Sequence, residues 1–325
     1  MEWLLNISDL KVSFSTYRGL VKALDGVSFG VKKGEALGVV GETGCGKSVT
    51  ARAIIRLVSA PGKITGGSIM FDGRDLLTLD KDAMRTIRGK EISFVFQEAK
   101  KALDPTATIG SQLEEALWLS KGLSRNEARS VIPELLGKVG LSDAGRLMDS
   151  YSFELSGGMA QRIMIALAIC GEPKLIIADE PTSALDVSVQ AQILRLFEQL
   201  KNSFDSSLMM ITHNLGVAAE NCDRIVVMYA GRVAEMGPVD AMFRNPAHPY
   251  TASLLKALPS SDSTKLVAIP GLVPDLINPP PGCRFANRCS HAADACALSV
   301  PPMHQVGDEH FAACLFPMIK GEKHV

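Results

Sequence analysis

The run Gly41-Glu42-Thr43-Gly44-Cys45-Gly46-Lys47-Ser48 constrains this chain more than any other segment. It fits G-x-x-x-x-G-K-S, it follows the apolar run Ala36 to Val40, and it opens a stretch of helical character, the context in which this pattern cradles phosphates. Glycines let successive backbone N–H groups wrap a polyphosphate, and the helix N-terminus adds a favourable dipole. Lys47 is placed to reach β- and γ-phosphates, and the Ser48 hydroxyl to ligate Mg²⁺. Gly41 to Ser48, with Val49 following, are therefore the candidate contacts to a nucleotide's phosphates.

The surrounding pattern is α/β. Ala36 to Val40, Ile92 to Phe96, Leu175 to Ala178 and Leu208 to Ile211 read as buried strands separated by amphipathic stretches, which predicts a parallel sheet. Leu113 to Leu141 is rich in Leu, Ala, Glu and Arg at helical spacing, with Ser124 three residues before Glu127 as a capping box, and reads as an inserted helical subdomain. Ile225 to Tyr229, the turn Ala230-Gly231 and Arg232 to Met236 read as a hairpin. Proline becomes frequent from Asn245 onward, which predicts a loop-rich extension that needs an external clamp.

The strand Leu175 to Ala178 delivers Asp179 and Glu180 at its C-terminal end, where open α/β sheets place ligands. Two adjacent acids invite two roles: Asp179 holding Mg²⁺, directly or through water, and Glu180 orienting and deprotonating an attacking water. Thirty-four Lys and Arg against thirty-five Asp and Glu leave no field strong enough to hold nucleic acid or anionic lipid by charge alone. The N-terminal segment lacks the pattern of a signal peptide, and no apolar run approaches a membrane span. Seven cysteines, four of them clustered near the C-terminus, fit a reducing cytosol better than an evenly stapled secreted protein.

A phosphate loop and an acidic strand leave several nucleotide-hydrolysing classes open, and Leu155-Ser156-Gly157-Gly158-Met159-Ala160-Gln161-Arg162 narrows them. Ser156 and two glycines at a helix start offer a hydroxyl and bare N–H groups to a second anion. This run resembles the signature of the ABC ATPases, with Met159 where glutamine is usual. The resemblance implies a P-loop NTPase fold with a RecA-like parallel core, an antiparallel β subdomain and the inserted helical subdomain. It also implies a head-to-tail dimer in which Ser156, Gly157, Gly158 and Asp186 of one subunit contact ATP held by the other. Three further matches fall in the family's order: Gln97, touching Mg²⁺ or the attacking water; Ser183-Ala184-Leu185-Asp186; and His213, contacting the γ-phosphate. Adenine would stack on an aromatic upstream of the loop, with Tyr17 the first choice and Phe14 the competitor.

Cys283, Cys289, Cys296 and Cys314 place four thiols in the proline-rich extension, and they suit a structural Zn²⁺, an iron–sulfur cluster, disulfides or simple burial. Asn245-Pro246-Ala247-His248-Pro249-Tyr250-Thr251 and Pro280 to Cys289 resemble the tail of the dipeptide and oligopeptide importer ATPases. Ser152-Phe153 and Ala160 depart from that branch without removing a phosphate ligand. The resemblance implies a nucleotide-binding domain over residues 1–245, its helical subdomain at about 98–165, and an extension over 246–325. It further implies a [4Fe–4S] cluster on the four cysteines, with Zn²⁺ the alternative.

By the same resemblance the chain is an ATPase at the cytoplasmic face of the inner membrane. Its partners would be two transmembrane permease subunits, a second, non-identical ATPase subunit and a separate extracytoplasmic solute-binding protein, with no nucleic acid. The alternatives are import of nickel or another small solute, or a soluble ABC ATPase acting on DNA or ribosomes. A last expectation concerns Cys45, whose place inside the phosphate loop predicts an alkylation-sensitive thiol shielded by nucleotide.

Overall fold

The computed structural model describes residues 2–183, 185–258 and 269–318. In chain order its elements are β1 (Trp3–Thr16), β2 (Gly19–Lys32), β3 (Ala36–Val40), α1 (Lys47–Ile54), β4 (Gly62–Phe71), β5 (Arg74–Asp75), α2 (Lys81–Ile87), β6 (Ile92–Val95), α3 (Ala99–Ala102), α4 (Ile109–Lys121), α5 (Arg125–Lys138), α6 (Ala144–Asp149), α7 (Gly157–Ile169), β7 (Leu175–Asp179), α8 (Val187–Phe204), β8 (Ser207–Thr212), α9 (Leu215–Asn221), β9 (Arg224–Tyr229), β10 (Arg232–Pro238), α10 (Val239–Arg244), α11 (Pro249–Lys256), α12 (Asp294–Leu298), β11 (His304–Gly307) and β12 (His310–Ala312). They divide between two compact units, one of residues 1–31, 36–77 and 212–325, the other of residues 32–35 and 78–211.

The first unit holds two sheets. One is antiparallel, in the order β2-β1-β4-β5. Leu5, Ile7, Leu10 and Val12 of β1 are buried while Asn6, Ser8, Asp9 and Lys11 between them are wetter, the pattern of a sheet with one covered face. The β1–β4 register shifts between Ser8 and Lys11, where Asp9 and Gly67 both take positive φ. A side chain on Gly67 would lie 2.6 Å from the Asp9 carbonyl oxygen, so the bulge requires glycine there. In the other sheet β3 lies parallel to β9, with Val39 opposite Val226, and both strands are buried at every position.

The hairpin of β9 and β10 forms as expected, turning at Ala230 and Gly231, both with positive φ. The extension is more ordered than its prolines predict. β12 pairs with β10, β11 pairs with β12, and α10 and α11 pack beside them. One core cluster joins Val40, Leu215, Ile225, Val227, Tyr229, Tyr250 and Phe285, so the extension shares the core of the phosphate-loop strand.

The second unit is built on three parallel strands, with Ile92 of β6 opposite Leu175 of β7, and Leu175 opposite Ser207 of β8. The helical stretch expected over Leu113 to Leu141 is two helices, because Gly122 caps α4 in the left-handed conformation and Ser124 restarts the chain as α5. The Ser124–Glu127 capping box is present with both bonds. Glu114 of α4 is buried and fastens α5, accepting from Arg125 Nε at 2.8 Å and Arg129 Nε at 2.7 Å. Among the described residues no helix is long and apolar enough to cross a membrane.

Candidate functional site

In the first unit the loop between β3 and α1 has the geometry its glycines predict. Gly41, Gly44 and Gly46 all take positive φ, and a Cβ on Gly41 would sit 2.2 Å from the Met228 carbonyl oxygen. Lys47 is 5 % exposed and donates from Nζ to the carbonyl oxygens of Gly41 at 2.7 Å and Glu42 at 3.0 Å. Its ammonium is thus tied back to the start of the loop by two carbonyl oxygens. Ser48 and Val49 follow in the first turn of α1.

Cys45 corrects an expectation. Its thiol is 1 % exposed, 3.8 Å from Lys47 Nζ, and burial pushes its pKa up against the pull of that lysine. A protonated, enclosed thiol is a poor nucleophile toward alkylating reagents. Tyr17 is 99 % exposed at the turn between β1 and β2, whereas Phe14 is half-buried and lies against Gly62. His213 is exposed just after β8, and the neighbouring Asn214 side chain caps α9.

Contacts that sequence reasoning missed converge on Glu42. Its backbone N–H donates to Tyr250 Oη at 2.9 Å. Its carboxylate accepts a two-pronged bond from Arg288, Nη1 to Oε2 at 2.6 Å and Nη2 to Oε1 at 2.9 Å. Arg284 donates to the Ala230 carbonyl oxygen and, at 2.5 Å, to Asp25. Glu235, wholly buried on β10, accepts from the N–H groups of Ala247 at 2.8 Å and His248 at 2.9 Å and lies 2.7 Å from His310 Nε2. Those bonds are the external clamp that the extension needed. The only available signal was charge placed among apolar and proline residues in two runs already singled out for other reasons.

In the second unit β7 ends on Asp179, 1 % exposed, with Glu180 next to it at positive φ. That backbone turn carries the Glu180 side chain away from the strand and into partial exposure, where Gln97 Nε2 donates to its Oε2 at 2.9 Å. An acid at a parallel strand end, a second acid beside it and an amide fixing the second acid form an arrangement able to hold a cation and polarise a water.

Ser156 caps α7, its hydroxyl accepting from the Met159 N–H at 3.2 Å, and the first helical residues are the bare Gly157 and Gly158. A Cβ on Gly158 would lie 2.9 Å from Val189 of α8, so glycine also serves close packing there. Asp186 caps α8 by accepting from Val189 N–H at 3.0 Å and Ser188 Oγ at 2.7 Å, the latter bond chiefly responsible for lowering its pKa. Ala184 lies outside the described residues.

All seven cysteines are free thiols. Cys283, Cys289, Cys296 and Cys314 line one small cavity of about 20 Å³ together with His248 and His291. Burial raises the thiols of Cys283 and Cys289 and pushes Cys314 up to about 11. Among the described residues no three His, Cys, Asp or Glu side chains are gathered closely enough to hold a metal ion, so the thiols converge without forming a ligand set.

Comparison with known proteins agrees with this geometry. Residues 24–183 match the family model "ABC transporter", and residues 234–296 match "Oligopeptide/dipeptide transporter, C-terminal region". The chain is 46 % identical over 312 residues to the oligopeptide transport ATP-binding protein OppD of Bacillus subtilis, covering 95 % of this chain and 87 % of that protein. It is 46 % identical over 317 residues to the dipeptide transport ATP-binding protein DppD of the same organism, covering 97 % and 95 %. A putative peptide import ATP-binding protein of Brucella ovis is 47 % identical over 326 residues, covering 96 % of each chain. Among solved structures, the dimeric post-hydrolysis state of the ATP-binding cassette MJ0796 with ADP and Pi superposes with a TM-score of 0.65 at 29 % identity, over 72 % of this chain and 98 % of that one. These matches, 46 % identity over nearly the whole chain among them, mean that the chain belongs to the ATP-binding proteins of the ABC transporter family, in the branch carrying the oligopeptide/dipeptide transporter C-terminal region.

Proposed function

We propose that this ATPase energises an importer of dipeptides and oligopeptides, working with two membrane permease subunits and a separate solute-binding protein. The observation that carries the substrate class is the C-terminal region matched over residues 234–296 in a chain 46 % identical to oligopeptide and dipeptide transport relatives. In this reading Gly41 to Val49 would wrap the phosphates, Lys47 would meet the β- and γ-phosphates, and Ser48, Asp179 and Gln97 would be the residues to hold Mg²⁺, which would neutralise charge on the phosphates. Glu180 takes the proton of the attacking water, Gln97 orients it, and His213 contacts the γ-phosphate. Tyr17 supplies the adenine face.

Ser156, Gly157, Gly158 and Asp186 complete the nucleotide site of a second ATPase subunit, which we take to be a non-identical chain. Binding of two ATP molecules closes the pair, closure drives the permeases, and hydrolysis resets them. The chain is peripheral, at the cytoplasmic face of the inner membrane, and the peptide never touches it.

Cys283, Cys289, Cys296 and Cys314 are the candidate ligands of a [4Fe–4S] cluster, with Zn²⁺ the alternative. Four thiols lining one cavity support this by their chemistry. A cavity of about 20 Å³ has room for little more than one water, so loading requires the loops to spread and the thiols to lose their protons. Anaerobic purification should yield iron and acid-labile sulfide. Stoichiometric zinc without iron would exclude the cluster.

Affinity purification of the tagged chain from membranes tests the main reading. It predicts recovery of two permeases and a different ATPase, and uptake of a labelled dipeptide by the reconstituted complex. Recovery of ribosomes or DNA, or uptake of Ni²⁺ in place of peptide, would overturn it.

A further inference from the structure

Every polar part of Glu42 is held. Its N–H goes to Tyr250 Oη, its carbonyl accepts from Lys47 Nζ at 3.0 Å, and both carboxylate oxygens are taken by Arg288. Tyr250 and Arg288 both belong to the extension, and the pair Arg288–Glu42 spans 246 positions of sequence. The Arg288 side chain is 5 % exposed and that of Glu42 27 %, so solvent screens the ion pair only in part.

Arg288 is itself fixed on several sides. Nε donates to the Pro270 carbonyl oxygen at 2.8 Å and Nη1 to Tyr229 Oη at 3.2 Å, and the guanidinium lies 5.7 Å from the centre of the Tyr229 ring. Its loop is pinned in turn. Cys283 N–H donates to the Cys296 carbonyl oxygen at 2.7 Å, and Phe285 packs 5.2 Å from both Tyr229 and Tyr250.

A carboxylate at the second position of a phosphate loop is an electrostatic problem for a polyanion bound there. We infer that Arg288 is a positioning residue for nucleotide binding: from the cysteine-bearing extension it neutralises Glu42 and aims that carboxylate away from the phosphates, setting the loop for ATP. This rests on Gly41 to Ser48 being the phosphate loop. The extension then has a task inside the catalytic cycle besides any role in substrate class. Whatever alters the loop between Cys283 and Cys289 should reach ATP affinity through this contact.

The sign of a double substitution separates this from a merely structural tie. In the full chain, Arg288→Met leaves Glu42 charged and unpaired, and Mg-ATP affinity should fall by about tenfold, with KM rising and kcat changing far less. Adding Glu42→Gln removes the repelling charge and should restore most of the affinity. Arg288→Lys should lie between wild type and Arg288→Met, because the charge remains and the fork does not. If Arg288→Met fails to fold, Arg288→Lys with and without Glu42→Gln carries the same test at smaller amplitude.

Affinity is read with a fluorescent ATP analogue and Mg²⁺, alongside Lys47→Ala. Loss of binding in Lys47→Ala with unchanged affinity in the Arg288 variants, or with additive losses in the double variant, overturns the inference alone. Undiminished binding in Lys47→Ala overturns the phosphate-loop reading and the inference with it.

Discussion

Gln97 Nε2 lies 2.9 Å from Glu180 Oε2, two residues 83 positions apart that meet because β6 and β7 are parallel neighbours ending side by side. The amide fixes the rotamer of the one acid whose backbone already turns it out of the strand. Such a contact serves a general base, which must present an oxygen in one direction. Glu180→Gln should therefore lower ATP turnover by about 10²-fold or more while Mg-ATP still binds, leaving a closed pair with the second ATPase subunit visible by size-exclusion chromatography of the two together with ATP. Normal turnover in that variant would remove Glu180 from the role of base.

Gln97→Ala should reduce kcat by about tenfold with a smaller effect on ATP binding, because it frees the Glu180 rotamer without removing a phosphate contact. A change confined to KM would show that Gln97 works on the nucleotide and not through Glu180.

Ser156→Ala removes the acceptor for the Met159 N–H and should cost about 1 kcal/mol of stability through the lost cap of α7. Gly157→Ala is the sharper probe, since its Cβ would meet only Leu185, at an ordinary contact distance of 3.4 Å, while covering the bare helix start. It should depress ATPase activity well beyond its effect on thermal stability. Equal small effects of both substitutions on activity would count against an anion site at this helix start.

His248 gives a pH signature. Burial pushes its imidazole down to about 4 even though the Glu235 carboxylate pulls the other way, and its Nδ1 accepts from the Tyr250 N–H at 3.0 Å. An unfolded histidine titrates near 6.5, so between those values the unfolded chain binds more protons than the folded one. Stability from this group is complete above about 6.5 and declines as pH falls toward about 4, a loss of about 2 kcal/mol between pH 7 and pH 5. Urea midpoints at the two pH values measure it. His248→Asn keeps a capping acceptor and should flatten the dependence, whereas an unchanged slope would place the titration elsewhere.

Local chemistry was legible in the sequence. The Gly41 to Ser48 run turns from β3 into α1 at glycines that all take positive φ. The Ser124–Glu127 box declares its helix, and two acids closing an apolar run declare a strand end. What stayed hidden was every contact made at long range. Nothing in the periodicity around Glu42 points to Arg288, nor in the run around Asp25 to Arg284, because pairings across the fold leave no local pattern.

Prolines after Asn245 masked the strands β11 and β12, which are short and depend on β10 for their bonds. Asp186 shows a different limit: a helix cap and a contact to a partner's nucleotide call for the same residue type at the same place, and one sequence cannot separate them. Cys45 shows a third limit: its loop position says nothing of burial, which here raises the thiol.

ATP hydrolysis by this chain drives peptide delivery. The direct measurement is Mg-ATP turnover by the complete transporter in proteoliposomes, before and after adding solute-binding protein loaded with a dipeptide. Turnover should rise several-fold and the rise should vanish when this chain carries Glu180→Gln. Turnover indifferent to the loaded binding protein, or stimulation that survives Glu180→Gln, would contradict the account.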